Sequence, residues 1–424
     1  MVWAPEISDI NQTFQIGPEV DPGTAVAASK RVDCYNFKPG VKVEMKKTAG
    51  TGRKYASVQQ LNAEWTEFSV DGSLDFNGIL YLAAGALGKV TPTAHGSSAT
   101  AKDWVLDASL SGSKQPQTYS AEQGEAVTRA HKFAYMLISK FGYKLSRKTD
   151  ASISGGGIGQ KITDGITLTG SPTVVPLVPM TGQEFNFFLD TTSAALGTTK
   201  LLKSLAAEFS MDGIYGPAWY INRANSSFSA HVDLKPTAML KFQVAADAVG
   251  MGLLDTMRAG STRFVRVEAV GDLIDNNQTV TLGSPSAGNF TLTYKGQTTG
   301  NIAFNAAAAT VQTAFTGLST VGVGNATVSG GVGGPYIIAL TGTLATDLTA
   351  ITGNGAGLTG GTFAITQTQI YNTFWHDLAI KIGEPGAWSN ADGIYMIEWN
   401  CEVFEDATWG HAHQMTVTNT LASL

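Results

Sequence analysis

Residues 245–271 carry a helix and its end in one unbroken run. Val249, Leu253 and Met257 recur every four residues, a spacing that places them on one face of a helix. Gly260 is predicted to end this helix, because glycine adopts the left-handed C-cap conformation at little cost. The run therefore predicts one amphipathic helix with a defined stop.

The period of the apolar residues changes to two immediately after that helix. Val265 and Val267 fall on one face of an extended chain, and Arg266 and Glu268 fall on the other. This alternation predicts a strand with one buried and one solvated face.

A second helix is predicted at 75–88, with Asp75 or Asn77 as its N-cap and Gly88 as its stop. Its residues are apolar nearly all round, which indicates burial on several sides, either in a core or at a boundary between subunits. Strands are predicted at 60–70, 104–110, 117–122, 131–147, 185–190, 201–211 and 227–234.

The composition changes abruptly at residue 272 and changes back near residue 370. Between these points Thr, Gly, Ala and Asn dominate, and the charged residues are Asp272, Asp275, Lys295 and Asp347. The segment 272–369 is predicted to be a small β-rich domain with one helix, inserted between two neighbouring strands of a host.

Three regions follow from these patterns. Residues 1–182 form an N-terminal arm and a first half, 183–271 with 370–424 form a discontinuous second half, and 272–369 form the inserted surface domain. The boundary at 182 ends a proline-rich stretch, and proline is confined to sheet edges and connectors.

The two halves share the order strand, link, apolar helix with a glycine stop, strand, strand, which favours a duplicated fold. EFSVDG at 67–72 also resembles EFSMDG at 208–213. Because these strings stand at different places relative to their helices, the order of elements is the better guide to the duplication.

Three segments outside these helices and strands have their own predictions. Residues 1–37 contain prolines and no sustained period, which predicts an extended arm that docks onto something else. The lysine-rich stretch 38–54 predicts a long hairpin with a solvated edge rather than a nucleic-acid patch, since no aromatic residues interleave as stacking platforms. The glycine-rich string GGGIG at 155–159 predicts a flexible tip and not a phosphate loop.

Composition limits the classes of function. The formal net charge of −6 gives no general field for holding nucleic acid. Two cysteines cannot form a disulfide framework or a zinc site, and no run approaches the length of a membrane helix. These features predict a chain without a membrane anchor, with 15% charged residues and 48 glycines that favour β structure with many turns.

The residues with catalytic or metal-binding chemistry have ordinary structural explanations. His411 and His413 fall on one side of an extended chain with His376 as a distant partner, but no third ligand has a recognisable spacing, so no metal site is predicted. Cys401 shares a strand face with apolar residues and is predicted to be a buried hydrophobe, whereas the role of Cys34 cannot be interpreted. No catalytic residue and no cofactor site is predicted.

The strand near the C terminus presents one polar face. Glu398, Asn400 and Glu402 point to one side, opposite the apolar residues Ile397 and Trp399. The plain interpretation is a solvated outer face, and the alternative is the wall of a lumen.

Several strings together resemble the tail tube (major tail) proteins of long, non-contractile-tailed bacteriophages. They are AHKFAYMLISKFGYKLSRK, GQKITDGITLTGSPTVVPLVP, DTTSAALGTTKL, YGPAWYINRANSSFSAHV, ADAVGMGLLDTMRAGSTRFVRVEAVG and GIYMIEWNCEVFEDATWGHAHQMTVTNTLASL. FTLTYKGQTTGNIAFNAAAATVQTAF with GGPYIIALTG resembles a small module found in phage structural and bacterial surface proteins.

The resemblance implies a mainly β chain with few helices, a duplicated β-sandwich or barrel with flanking helices, and the inserted β-rich domain. It also implies self-assembly into stacked rings, pseudo-hexameric with three copies or hexameric with six. Such a tube forms in the bacterial cytoplasm, belongs to the virion and contacts tape measure and terminator proteins. Genomic DNA passes through it, and Glu398, Asn400 and Glu402 are then predicted to face the lumen.

The prediction is therefore a structural, non-enzymatic subunit. An exposed adhesin or glycan-binding β protein is the alternative, because the Thr- and Gly-rich insert also suits a recognition module. A β-rich hydrolase using carboxylates among Glu398, Glu402 and Glu405 is a third hypothesis.

Overall fold

A computed structural model describes residues 11–424 except 97, 99, 109, 111–113, 126–128, 222–224 and 392. Over these residues the chain is mainly β with three α-helices, as predicted. None of the helices in the described ranges is long and apolar enough to cross a membrane.

The helices are α1 (Ile79–Leu87), α2 (Ala248–Ala259) and α3 (Ala308–Thr316). The strands are β1 (Thr13–Pro18), β2 (Lys30–Arg31), β3 (Tyr35–Thr48), β4 (Val58–Ser73), β5 (Thr93–Ala94), β6 (Lys102–Asp107), β7 (Tyr119–Glu125), β8 (Arg129–Ser146), β9 (Thr149–Gly159), β10 (Thr163–Ile166), β11 (Thr173–Val174), β12 (Phe185–Asp190), β13 (Ser204–Asp212), β14 (Tyr215–Ala218), β15 (Ala230–Asp233), β16 (Thr237–Ala245), β17 (Thr262–Thr281), β18 (Ala287–Tyr294), β19 (Gln297–Thr298), β20 (Ile302–Ala303), β21 (Ala326–Gly330), β22 (Tyr336–Leu340), β23 (Thr352–Asn354), β24 (Leu358–Thr359), β25 (Ala364–Pro385), β26 (Ser389–Ala391), β27 (Ile394–Val403) and β28 (His413–Asn419).

Two sets of strands in the chain have the same topology. Neighbouring strands run β3–β4–β9–β8 in the first set and β13–β16–β27–β25 in the second. In both sets a helix follows the second strand along the chain, α1 after β4 and α2 after β16. The second layers also correspond, as β1–β7–β8–β10 and β12–β17–β25–β28. The order of elements therefore repeats within the chain.

The similar hexapeptides do not occupy equivalent places in this repeat. EFSVDG lies on β4, the second strand of its set, whereas EFSMDG begins on β13, the first strand of the other. The order of elements was the better guide because hydrophobic periods report topology, while a short string that suits any half-exposed strand does not.

The two sets join through β8 and β13, which pair antiparallel. The result is one continuous antiparallel sheet, β3–β4–β9–β8–β13–β16–β27–β25, which we call the long sheet. One of its faces packs on the second layers and on α1, all nine residues of which are buried. Helix α1 is thus buried in the core of its own chain, which is the first of the two alternatives that its sequence left open.

Both predicted helix stops are present. Asp247 is the N-cap of α2 and accepts from the N–H groups of Val249 and Gly250, and Gly260 takes the left-handed conformation after its last turn. Gly88 follows α1 as predicted, but the N-cap is Gly78 rather than Asp75 or Asn77. Asp75 instead accepts from the N–H of Gly78 at 2.6 Å, which still holds the entry to the helix.

The predicted N-terminal arm is wrong from Thr13 onward, and residues 1–10 lie outside the described part. Strand β1 pairs with β7 and β2, and Phe14 is buried in the core. Glu19 is also buried, and its carboxylate accepts from the N–H of Gly23 and of Tyr135, each at 2.8 Å. Sequence periodicity missed this segment because β1 is only six residues long and is followed by irregular chain.

The glycine-rich string 155–159 is not a flexible tip but part of β9, buried between β4 and β8. A Cβ on Gly157 would lie 1.9 Å from the carbonyl oxygen of Leu137, and one on Gly159 would lie 2.2 Å from the ring of Phe133. Glycine is required here because neighbouring groups fill the space that a side chain would occupy.

The inserted segment has a hydrophobic core of its own, which includes Phe290, Val311, Phe315 and Tyr336. Strands β17 and β25 run without interruption from the host into this segment and pair along most of their length. Buried polar residues occupy the junction, where the carboxylate of Asp275 accepts from the hydroxyl groups of two residues in the 95–101 loop, Ser98 and Thr100. The boundaries 272 and 369 remain predictions.

We predict that joining Gly271 to Ile370 through a short turn yields a folded host and that 272–369 folds alone. Strands β17 and β25 still pair from Thr262 to Val270 in the shortened chain, so they become an ordinary hairpin. The loss of the Asp275 acceptor costs about 1 kcal/mol. Thermal unfolding followed by circular dichroism checks both pieces, and an insoluble host would contradict the prediction.

Candidate functional site: the polar face of the long sheet

The predicted strand face near the C terminus is present on β27. Ile397, Trp399 and Cys401 are buried in the core, whereas Glu398 and Asn400 are partly exposed and Glu402 is exposed. The alternation predicted from the sequence is therefore correct at the level of burial. Whether these side chains line a lumen remains a prediction.

The side chains of Glu398, Asn400 and Glu402 belong to a larger surface, the polar face, which is the side of the long sheet that points away from the core. It continues across β16, β13 and β8 in aligned rows. Read from β8 outward, the rows are Lys140, Asp212 and Thr237; Gly142, Ser210, Met239 and Glu402; Lys144, Glu208, Lys241 and Asn400; and Ser146, Ala206, Gln243 and Glu398.

The polar face carries lysines as well as the predicted acids, and several of them form ion pairs across strands. Lys144 Nζ lies 3.6 Å from Glu208 Oε2. On the first strands of the sheet, Lys38 Nζ is 3.0 Å from Asp71 Oδ1. Lys42 there pairs with Glu67 at 3.2 Å.

The lysine-rich stretch 38–54 was identified from the sequence, but the lysines of β8 and β16 on this face were missed. A signal was present in β8, where Lys140 and Lys144 stand four residues apart and alternate with the buried Phe141, Tyr143 and Leu145. The pattern gives the face on which a residue lies, but it does not give the neighbouring strand or the residue directly opposite.

The long sheet ends in two edges. In the described part of the chain β3 pairs with β4 alone, and β26 pairs with β27 alone. Pro39 on β3 has no N–H to give, and the carbonyl oxygen of Phe37 accepts from the Gln123 side chain at 3.0 Å rather than from β4. Odd-numbered residues of β3 up to Val43 therefore direct their backbone groups away from β4, toward the open edge.

Exposed apolar side chains accompany both edges. Val41 and Val43 lie on the part of β3 that extends beyond the body of the sheet, where both are about half exposed. At the other edge Trp388 and Tyr395 are exposed and stacked, with ring centroids 4.9 Å apart. The predicted hairpin at 38–54 is present, as the pairing of β3 with β4.

The histidines form a buried chain instead of a metal site. His376 Nδ1 lies 2.8 Å from the hydroxyl oxygen of Tyr143, and His376 Nε2 lies 3.0 Å from Nδ1 of His413. His411 points elsewhere, with Nδ1 3.2 Å from Asp107. No group of three or more His, Cys, Asp or Glu side chains in the described ranges is arranged to hold a metal ion.

Burial controls the protonation of these core groups. It lowers the pKa of His376 far below the ordinary value and that of His413 to about 4. Cys401 is buried, as predicted, and its burial raises the pKa of the thiol to about 12. The Cys34 thiol is partly buried, and its pKa is raised for the same reason.

Similarity to known proteins covers a limited part of this chain, and no family model matches it. Over 91 residues the chain is 38% identical to a tail sheath protein of Mycobacterium phage Bxz1, a stretch that is 22% of this chain. The chain thus spans 15% of the length of that relative. A solved chain from Mycobacterium phage Patience aligns with 52% of this chain and 75% of its own length, at 12% identity and a TM-score of 0.19. The sequence similarity is therefore to one segment of a phage tail sheath protein.

We predict that stability falls as the pH is lowered from about 6.5 toward 4. His376 and His413 stay neutral in the fold but bind protons in the unfolded chain below about pH 6.5. Each contributes up to about 1.4 kcal/mol per pH unit within that window. Urea unfolding at several pH values measures the slope.

The variant His413→Leu is the comparison for this pH dependence. Its stability is expected to fall less steeply with decreasing pH than that of the unchanged protein. Equal slopes, or a stability that does not change between pH 7 and pH 5, would contradict the assignment.

Proposed function

We propose that this chain is a non-catalytic subunit of a phage tail tube, which assembles in rings that stack into a conduit for genomic DNA. Similarity to a tail sheath protein over 91 residues supports the broader class, a structural protein of a phage tail in the virion. The tube assignment is carried by a different observation, the repeated topology of the long sheet.

The strand pairing that connects the two sets within one chain suggests how two copies of the chain pair with each other. The third strand of the first set in chain order, β8, pairs with the first strand of the second set, β13. By the same rule, the third strand of the second set, β25, pairs with the first strand of the next copy, β3. Strands β3 and β25 lie at the two opposite ends of the long sheet.

Repeating that joint closes the sheet into a ring and removes its edges, which otherwise present unpaired backbone groups. The two sets in each chain make a ring of three copies pseudo-sixfold. The polar face, with Glu398, Asn400 and Glu402, then faces the inside, because the other side of the sheet is covered by the second layers and helices.

The charges at the two edges are complementary. Strand β3 carries the exposed residues Lys38, Lys42 and Lys46, of which Lys38 and Lys42 also pair with Asp71 and Glu67 on β4. The opposite edge carries the exposed Glu384 and Glu402. Opposite charges favour the pairing of unlike edges, and exposed apolar residues near both edges become buried in it.

We predict that Val43→Pro blocks assembly and leaves the subunit folded. Val43 directs its N–H to the open edge, so proline removes a donor that β4 does not use. Each lost hydrogen bond between copies costs about 1 kcal/mol and recurs at every joint. Val43→Thr, which keeps the N–H and suits a strand, is the matched control.

Negative-stain microscopy and sedimentation compare these variants with the unchanged protein. Tubes or rings are expected for the unchanged protein and for Val43→Thr, and separate subunits for Val43→Pro. Normal tubes from Val43→Pro would exclude pairing through this edge. Monomers of the unchanged protein that bind glycans would favour the adhesin alternative.

A further inference from the structure

Four lysines of the polar face stand directly opposite an acid on the neighbouring strand, and one of them, Lys144, lies within 3.6 Å of its acid, Glu208. The Nζ of Lys381 donates to the carbonyl oxygen of Gly260. Glu208 stands directly opposite both Lys144 on β8 and Lys241 on β16. Asp212 stands opposite Lys140, and Glu402 stands opposite Lys381 on β25. Residues directly opposite in an antiparallel sheet have Cβ atoms about 5 Å apart, within reach of an ion pair.

The placement of acids opposite lysines determines how strongly the polar face binds a polyanion such as DNA. Protein cations hold duplex DNA by displacing its counterions, and the affinity depends on how many cations are available to phosphate. A lysine that already has a carboxylate partner must give it up to contact phosphate. The carboxylates also keep the lysines from repelling one another, whereas a purely acidic face would bring like charges together on neighbouring strands.

We infer that the acidic partners, above all Glu208, prevent the lysines of the polar face from binding duplex DNA. The polar face then neither binds tightly nor strongly repels a polyanion that moves along it. The role in DNA passage rests on the proposed tube function, whereas the charge neutralisation is a property of the single chain.

The test removes the acids and retains the lysines. In the triple variant Glu208→Gln, Asp212→Asn, Glu402→Gln, the four lysines opposite these acids no longer face a carboxylate directly across the neighbouring strand. The purified variant is expected to bind a labelled short DNA duplex with a slope of log affinity against log salt of about −3.6, because about 0.9 counterion is released per contact. The unchanged protein is expected to show no measurable binding under the same conditions.

The matched control changes the net charge by the same amount elsewhere. Asp33→Asn, Asp164→Asn and Asp255→Asn each remove the acid from an exposed ion pair with an arginine, at scattered places outside the polar face. This control is expected to bind DNA far more weakly than the triple variant. Equal binding by both, or strong binding by the unchanged protein, would overturn the inference.

A single substitution covers the case in which the triple variant does not fold. Glu208→Gln frees Lys144 and Lys241, so a salt slope of about −1.8 is expected. No gain in DNA binding by this folded variant would also overturn the inference. If the variants bind DNA but the unchanged protein never forms tubes, the tube function fails while the charge neutralisation stands.

Discussion

Strand β8 hydrogen-bonds to β13 over seven aligned residue pairs, from Ser146 opposite Ala206 to Lys140 opposite Asp212. This backbone pairing makes one sheet from two sets of strands, and it fixes which side of each strand is buried. A shift by one residue would turn Phe209 out of the core and Glu208 into it, so the core holds the register in place. The polar face and the two open edges both depend on this single joint.

The same constraint explains why the edges matter. Over the body of the long sheet the described interior strands pair on both sides, and the unpaired edges lie at β3 with the outer half of β4 and at the end formed by β25 and β26. Lysines on β3 and acids near β25 favour the joining of copies in one direction, although part of this charge is already paired within the chain. A closed ring satisfies both edges without adding any new element.

Local patterns predicted the parts of the fold that local chemistry determines. The stop of α2 at Gly260 was predicted from the C-cap preference of glycine, and the alternation around Trp399 was predicted from the spacing of apolar residues. The buried string at 155–159 was misread because its lack of side chains reflects crowding by Leu137 and Phe133, which are distant in sequence. Strand β1 was missed for a related reason, since its pairing with β7 spans more than one hundred residues.

The candidate site shows the same division. The side on which Glu398, Asn400 and Glu402 lie follows from a period of two, but the position of Lys241 beside Asn400 follows from the order of strands in the sheet. The net charge of the polar face is set by residues on several neighbouring strands, so one strand alone does not predict it. The polar face read from β27 alone holds two acids, and lysines join it when the neighbouring strands are placed.

The number of copies in one ring tests the central claim most directly. Cryo-electron microscopy of the assembled protein is expected to show three copies per ring, with β3 of one copy beside β25 of the next and the polar face on the inside. Six copies per ring, an edge strand β3 that faces solvent, or a polar face on the outer wall would contradict the account.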